Sequence, residues 1–283
     1  MERKNLIIGC FSNYQYDKIA VWVNSAIENS SKNTEIVLIH TGVNIADDIT
    51  NKLKEKEKIK LILVNDIPEL APHVKRFVFL YDYLKSLKEN DYAFVTTTDV
   101  RDVYFQSCPS SWMKKNFNNF ESLVCGSEGM LYKDEPWGNE NLLQTFGHYF
   151  YNDFCNNEIY NVGVLGGSLA TIRDLCLMIY QMSINRPIPI VDQAVFNVLI
   201  QSKPFKSVSY FAHQSKDNWA CHAGTTADPS KIEIFRPLLT CKEPQVINGV
   251  FVPSENNEPF VIVHQYDRVP HWKKYIEGKY GHY

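Results

Sequence analysis

Two aspartates three positions apart, Asp99 and Asp102, follow the β-branched run Phe94-Val95-Thr96-Thr97-Thr98 and precede apolar Val103-Tyr104-Phe105. Hard carboxylate oxygens set close together at a strand end are what Mn²⁺ or Mg²⁺ takes as ligands. Such an ion can neutralise a departing diphosphate. The same residues also suit a solvated turn in which Arg101 pairs with one aspartate. His264 ends a second apolar run, Phe260-Val261-Ile262-Val263, where an imidazole is either a hydrogen-bonded structural group or a ligand returning to the same face. Asp192-Gln193, followed by Asn197, opens an apolar helical pattern. Asp192 there reads as a helix cap or as a group aimed at a substrate. Asn161 before Gly163 is either turn chemistry or a polar group at a site. The loop Cys10-Phe11-Ser12-Asn13-Tyr14 mixes polar and aromatic residues, which fits an ordinary turn and also the stacking of a nucleobase.

Regular elements must position these groups. Leu6 to Gly9, Glu35 to Ile39, Ile59 to Val64 and Tyr92 to Thr98 read as strands, and Ile19 to Ile27 as an apolar helix. Pro72 opens a helix whose Phe77, Leu80, Tyr81, Leu84 and Leu87 follow the three-and-four spacing of one buried face. Such alternation predicts an α/β fold, a mostly parallel sheet with helices on both faces. Ligands of such sheets sit at the carboxyl ends of the strands, where Phe11 to Tyr14 and Asp99 to Asp102 fall. Further along, Tyr160 to Gly167 reads as a strand, and Ser168 as the cap of a helix presenting Ile172, Leu175, Cys176 and Ile179. A helix is expected from Asp192 through Leu199 and a late strand over Phe260 to Val263. The stretch from Gly126-Ser127-Glu128 to Asp134-Glu135-Pro136-Trp137 reads as a loop, with Trp137 offering an aromatic face to sugar C–H surfaces or simple surface packing. No linker interrupts the 283 residues, so one domain is expected over 1–283.

Composition excludes several classes. With 45% hydrophobic and 13% aromatic residues the chain is not disordered. A formal charge of −3 gives no footprint for nucleic acid, so an anionic ligand must be held locally. The seven cysteines never form a Cys-x-x-Cys pair and read as reduced. With no evident signal peptide and no long apolar run, a cytoplasmic protein is expected, with peripheral membrane contact still allowed.

The order of these pieces resembles that of GT-A glycosyltransferases, especially glycosyltransferase family 8, the family of glycogenin and the bacterial lipooligosaccharide galactosyltransferases. The family's Asp-x-Asp motif is similar to Thr98-Asp99-Val100-Arg101-Asp102, and its Asn-x-Gly strand to Asn161-Val162-Gly163-Val164. Its Asp-Gln helix start resembles Val191-Asp192-Gln193, and its late metal-binding His resembles Ile262-Val263-His264. The departures are an Asp-x-x-Asp spacing, Arg101 where a second Asp falls, and the missing Lys-Pro-Trp after the late His.

The resemblance implies a single GT-A domain over 1–283, with the nucleotide-binding half in about 1–110 and the acceptor and sugar half in about 111–283, carrying out metal-dependent transfer from UDP-sugars to a glycan or other hydroxyl acceptor. It further implies Asp99, Asp102 and His264 as ligands of Mn²⁺ or Mg²⁺, and Phe11, Asn13, Tyr14, Arg76, Thr98 and Asn161 around the nucleotide sugar. Lys273 and Lys274 would meet the donor phosphates. Asp192 and Gln193 would position the sugar in a retaining reaction. An inverting enzyme would need a carboxylate base, for which Asp192, Glu128 and Asp134 stand available. A catalytically silent sugar- or protein-binding relative is the reading from another class, with the altered acidic motif as the mark of a lost metal. A sugar nucleotidyltransferase is disfavoured, because Gly9 to Asn13 has one glycine and no basic residue.

Overall fold

The computed structural model describes residues 2–42 and 47–281. Strands β1 (Lys4–Phe11), β2 (Thr34–Thr41), β3 (Ile59–Val64) and β4 (Tyr92–Thr98) alternate with helices α1 (Tyr16–Glu28), α2 (Asp47–Lys54) and α3 (Pro72–Lys85). Next come β5 (Val103–Phe105), α4 (Pro109–Asn116), β6 (Leu123–Leu131), α5 (Pro136–Phe154), β7 (Glu158–Gly167), α6 (Leu169–Ser183) and α7 (Asp192–Ile200). The remainder is shorter: β8 (Ser209–Ala212), β9 (Ala220–His222), α8 (Ala223–Thr226), α9 (Ile232–Phe235), β10 (Gln245–Ile247), β11 (Val250–Val252), β12 (Ile262–His264) and α10 (Pro270–Tyr280).

The main sheet has seven strands in the order β3-β2-β1-β4-β7-β6-β8. Its β3-β2-β1-β4 half is wholly parallel, and only β7 runs against both of its neighbours. Both faces are covered, which is why the strands read as continuous apolar runs. Leu6 and Ile8 of β1 join Phe77, Leu80, Ile172 and Leu175 from α3 and α6. Ile7 points the other way, into a cluster with Ile19 and Trp22 of α1 and Trp112 of α4. Period-two alternation along β1 thus feeds two separate cores.

A three-stranded sheet, β5-β12-β9, joins the end of the main sheet to the C-terminal segment. Strand β5 pairs antiparallel with β12, setting His264 opposite Val103, the residue after Asp102. The Gln265 amide extends this pairing by donating to the Asp102 carbonyl at 2.7 Å. Two strands of three residues each therefore bring a histidine to an aspartate 162 positions earlier in the chain, as the residue numbers give.

Several local expectations need correction. Helix α3 ends at Lys85, so Leu87 packs from the following turn. The late strand is Ile262–His264, shorter and shifted from Phe260 to Val263. Gly126 to Leu131 is strand, not loop, because β6 pairs with both β7 and β8; Glu128 therefore sits on the sheet. Asp192 does not cap its helix: Val191 holds the cap position, with no side-chain cap bond, and the Asp192 carboxylate turns to Arg76. Ser168 does cap α6, accepting from the Thr171 amide. No helix among the described residues is long and apolar enough to cross a membrane.

Candidate active site

A cleft of about 640 Å³ opens at the carboxyl ends of β1 and β4, bounded by the start of α3, the start of α7 and the loop after β12. Each element contributes because of its place in the sheet. Strand β4 ends at Thr98, and the next amide, Asp99 N, donates to the Gly163 carbonyl at 2.8 Å, locking the acidic turn to β7. Gly9 lets that turn cross the end of β1, since a Cβ there would stand 2.4 Å from Val100 Cγ2.

Asp99, Asp102 and His264 converge, with one ligand atom from each lying within 4.8 Å of the others. His264 Nε2 is 3.4 Å from Asp99 Oδ2 and 3.7 Å from Asp102 Oδ1. The second oxygen of each carboxylate is engaged elsewhere. Arg76 Nη1 donates to Asp99 Oδ1, and Arg101 Nη2 donates to Asp102 Oδ2 at 3.2 Å. Arg76 Nη2 also donates to Asp192 Oδ2 at 2.8 Å, so one guanidinium ties the acidic turn to the head of α7.

Burial holds the His264 imidazole below its ordinary pKa, against the raising influence of Asp102, so the ring is neutral near pH 7. Its Nδ1 stands 3.3 Å from Nδ1 of His222, a residue that burial holds well below the ordinary range. Two carboxylate oxygens and a neutral imidazole nitrogen suit Mn²⁺ or Mg²⁺, oxygen-rich with one borderline donor. Gly163 leaves the room: its missing Cβ would lie 2.7 Å from both Asp99 Oδ2 and His264 Cε1.

On the far side of the triad, Asn161 Nδ2 donates to Glu128 Oε1 at 2.6 Å while Asn161 Oδ1 accepts the Gly163 amide at 2.7 Å. Burial, opposed by the Asn161 bond, raises the Glu128 carboxyl to about 7. Gln193, Glu135 and half-exposed Trp137 complete that wall. At the opposite end Cys10, Phe11, Ser12, Tyr14 and Thr41 line the cleft, with Phe11 edge-on to His40 at 5.0 Å between centroids.

The cleft thus gathers Phe11, Tyr14, Arg76, Asp99, Asp102, Asn161, Asp192, Gln193 and His264 from the residues singled out in the sequence. Thr98, Asn13, Lys273, Lys274 and Asp134, the last in the short turn Tyr132–Asp134 ahead of α5, lie outside its lining. The Thr98 hydroxyl accepts the buried Trp22 indole N–H at 2.7 Å, which turns it into the core. Asn13 is exposed with φ 56°. Lys273 and Lys274 stand on the outer face of α10, whose inner face is Trp272, Ile276 and Tyr280. Besides Lys75, Arg76 and Arg101, the cations that do line the cleft are Arg268 and Lys231. Arg268 follows His264 by four residues; Lys231, like His222, comes from a segment with no periodic signal, which sequence reasoning missed.

Comparison with solved structures gives the same architecture. Mouse xyloside xylosyltransferase 1 matches with a TM-score of 0.55 at 12% identity, covering 93% of this chain and 97% of that one. The bifunctional glycosyltransferase WbbM matches with a TM-score of 0.58 at 13% identity, covering 98% of this chain and 50% of that one. The chain has the GT-A glycosyltransferase fold. This chain spans half the length of WbbM, and at such identities the likeness is one of fold alone. No protein-family model matches the sequence, and no curated protein matches it. In the GT-A fold of this chain, the acidic turn, the Asn-Val-Gly strand, the Asp-Gln helix head and the late histidine surround one cavity.

Proposed function

We propose that this protein is a divalent-metal-dependent glycosyltransferase that moves a hexosyl group from a nucleotide sugar, UDP-linked on the present reading, to a hydroxyl of a glycan acceptor. The observation that carries the reading is the convergence of Asp99 Oδ2, Asp102 Oδ1 and His264 Nε2 at the carboxyl ends of parallel strands in a GT-A fold. Bound there, Mn²⁺ or Mg²⁺ supplies charge neutralisation to the leaving diphosphate.

The chain's own residues divide the rest. Phe11 and Tyr14 pack against the base and ribose at the β1 end of the cleft. Arg268 and Lys231 add fixed positive charge for the phosphates, in a site that excludes part of the surrounding water. Arg76 holds Asp192 at the sugar side, and Asn161, Gln193 and Asp192 orient sugar hydroxyls. Trp137 receives the acceptor, its indole against sugar C–H surface.

Retention of anomeric configuration suits the carboxylates of this wall. Asp192 is tied to Arg76, Glu128 accepts from Asn161, and Glu135 accepts the Gly138 amide. With all three engaged, the leaving phosphate is the base best placed to take the acceptor proton. The test is a thermal-shift panel of UDP-, GDP-, CMP- and dTDP-sugars with Mn²⁺ and again with EDTA, followed by NMR of the anomeric product. Stabilisation by one nucleotide class only with metal, weakened in Asp99→Ala and His264→Ala, is expected. If no nucleotide stabilises the chain under either condition, the reading fails and a sugar-binding relative without transfer takes its place.

A further inference from the structure

The two ligand carboxylates are each split in the same way, one oxygen toward His264 and the other toward an arginine. The arginines differ in how free they are. Arg76 is largely buried, pinned between Asp99 and the buried carboxylate of Asp192. Arg101 is 40% exposed, lines the cleft, and has a second carboxylate, Asp267, 3.5 Å away. Asp267 in turn lies 3.8 Å from Arg268, the next cation along the cleft wall. Arg101 can therefore leave Asp102 without leaving the site.

Its charge bears directly on any cation that enters. A positive guanidinium 3.2 Å from a ligand carboxylate repels an incoming divalent ion and competes with it for that carboxylate. A diphosphate reverses both effects, because its oxygens offer the planar guanidinium a bidentate, doubly charged acceptor in place of Asp102. We infer that Arg101 couples the two ligands of this cleft, pairing with Asp102 in the free protein and with a phosphate in the complex, so that metal binds tightly only together with a nucleoside diphosphate. This rests on the donor-site reading above. It assigns a function to the residue that distinguishes this chain's Asp-x-x-Asp turn, and it makes metal and donor binding reciprocal by linkage.

The experiment titrates Mn²⁺ into the full chain and follows the free ion by EPR, alone and with the diphosphate that stabilises the chain in the panel above, UDP on the present reading. Mn²⁺ held by free UDP is subtracted. Wild type, Arg101→Gln, Arg101→Lys and Asp99→Asn are compared, each after its thermal midpoint has been checked. In wild type UDP is expected to tighten Mn²⁺ binding on the order of tenfold, the factor that about 1.4 kcal/mol sets. Arg101→Gln should tighten binding of Mn²⁺ alone by a similar factor and lose most of the UDP enhancement. Arg101→Lys, which keeps the charge, should bind Mn²⁺ alone as weakly as wild type. If Arg101→Gln matches wild type with and without UDP while Asp99→Asn loses the ion, the metal site stands and the coupling is overturned. If none of the proteins binds Mn²⁺ under either condition, the donor-site reading itself fails and the coupling falls with it.

Discussion

Gly163 faces Asp99 so closely that a Cβ on the glycine would stand 2.7 Å from Asp99 Oδ2, with His264 Cε1 at the same 2.7 Å. The backbone at 163 accepts the Asp99 amide, so the strand cannot retreat without unlocking the acidic turn. Gly163→Ala should therefore push the ligand carboxylate and imidazole apart. Overpacking of this kind costs about 1–3 kcal/mol. Calorimetric titration of Mn²⁺ in the presence of UDP is expected to show at least about a tenfold loss of affinity, which is about 1.4 kcal/mol. Unchanged affinity would mean that the triad does not need that space.

His222 stands behind His264 as a buried hydrogen-bond partner. For His264 Nε2 to be a bare donor to metal, its proton must sit on Nδ1, where His222 Nδ1 is 3.3 Å away and able to accept. Partners of this kind fix the tautomer of a ligating imidazole, and their loss weakens metal binding about 10–100-fold. His222→Phe should show that loss, and His222→Asn, which keeps an acceptor, should recover part of it. Equal affinities in the two variants would remove His222 from the ligand's support.

Much of this site could be read from the sequence because its groups lie near the ends of apolar strands or begin a helix. Asp99, Asn161, Asp192 and His264 each interrupt a run whose period marks an element, and α/β sheets gather such ends on one edge. Part of what could not be read depends on a pairing of three residues. Strand β9 carries His222 into register with His264, yet Ala220-Cys221-His222 has too few residues to show a period. Glu128 reads as loop in the sequence because Gly126 and Gly129 signal turns, whereas β6 runs through both with register shifts against β7. Thr98 adjoins the acidic motif in sequence, but its side chain alternates into the core toward Trp22.

That last relation makes a discriminating test. Thr98→Val keeps the shape and leaves the buried indole N–H of Trp22 without its acceptor. An unsatisfied buried donor costs about 1–3 kcal/mol, so the denaturation midpoint should fall. The nucleotide Kd should change by less than about threefold, well under the 1.4 kcal/mol of a decade. A large loss of nucleotide affinity at preserved stability would return Thr98 to the donor site.

Glu128 should leave a mark on stability as pH changes. Its carboxyl is raised from 4.5 to about 7, chiefly by burial. Between those values the unfolded chain releases a proton that the folded chain keeps, so stability falls as pH rises and the full cost is present above about 7. At 1.36 kcal/mol per unit the cost is about 3 kcal/mol. Glu128→Gln keeps a carbonyl acceptor for Asn161 and cannot ionise. In urea denaturation with EDTA, the variant should match wild type near pH 5 and exceed it near pH 8. A stability difference that does not change with pH would argue against a protonated Glu128.

The proposed phosphate site separates two sets of cations. Arg268 lines the cleft, held loosely by Asp267 at 3.8 Å, whereas Lys273 and Lys274 lie outside the lining and Lys273 sits 3.9 Å from Glu277. An exposed lysine beyond the cleft is screened by water and salt, so its removal changes ligand binding little. Arg268→Ala should weaken UDP-sugar binding on the order of tenfold, about 1.4 kcal/mol, with a salt dependence shallower than that of wild type. The Lys273→Ala, Lys274→Ala double variant should bind as wild type does. Fluorescence or calorimetric titration at two ionic strengths distinguishes them, and the reverse ranking would mean that α10 swings inward when the donor binds.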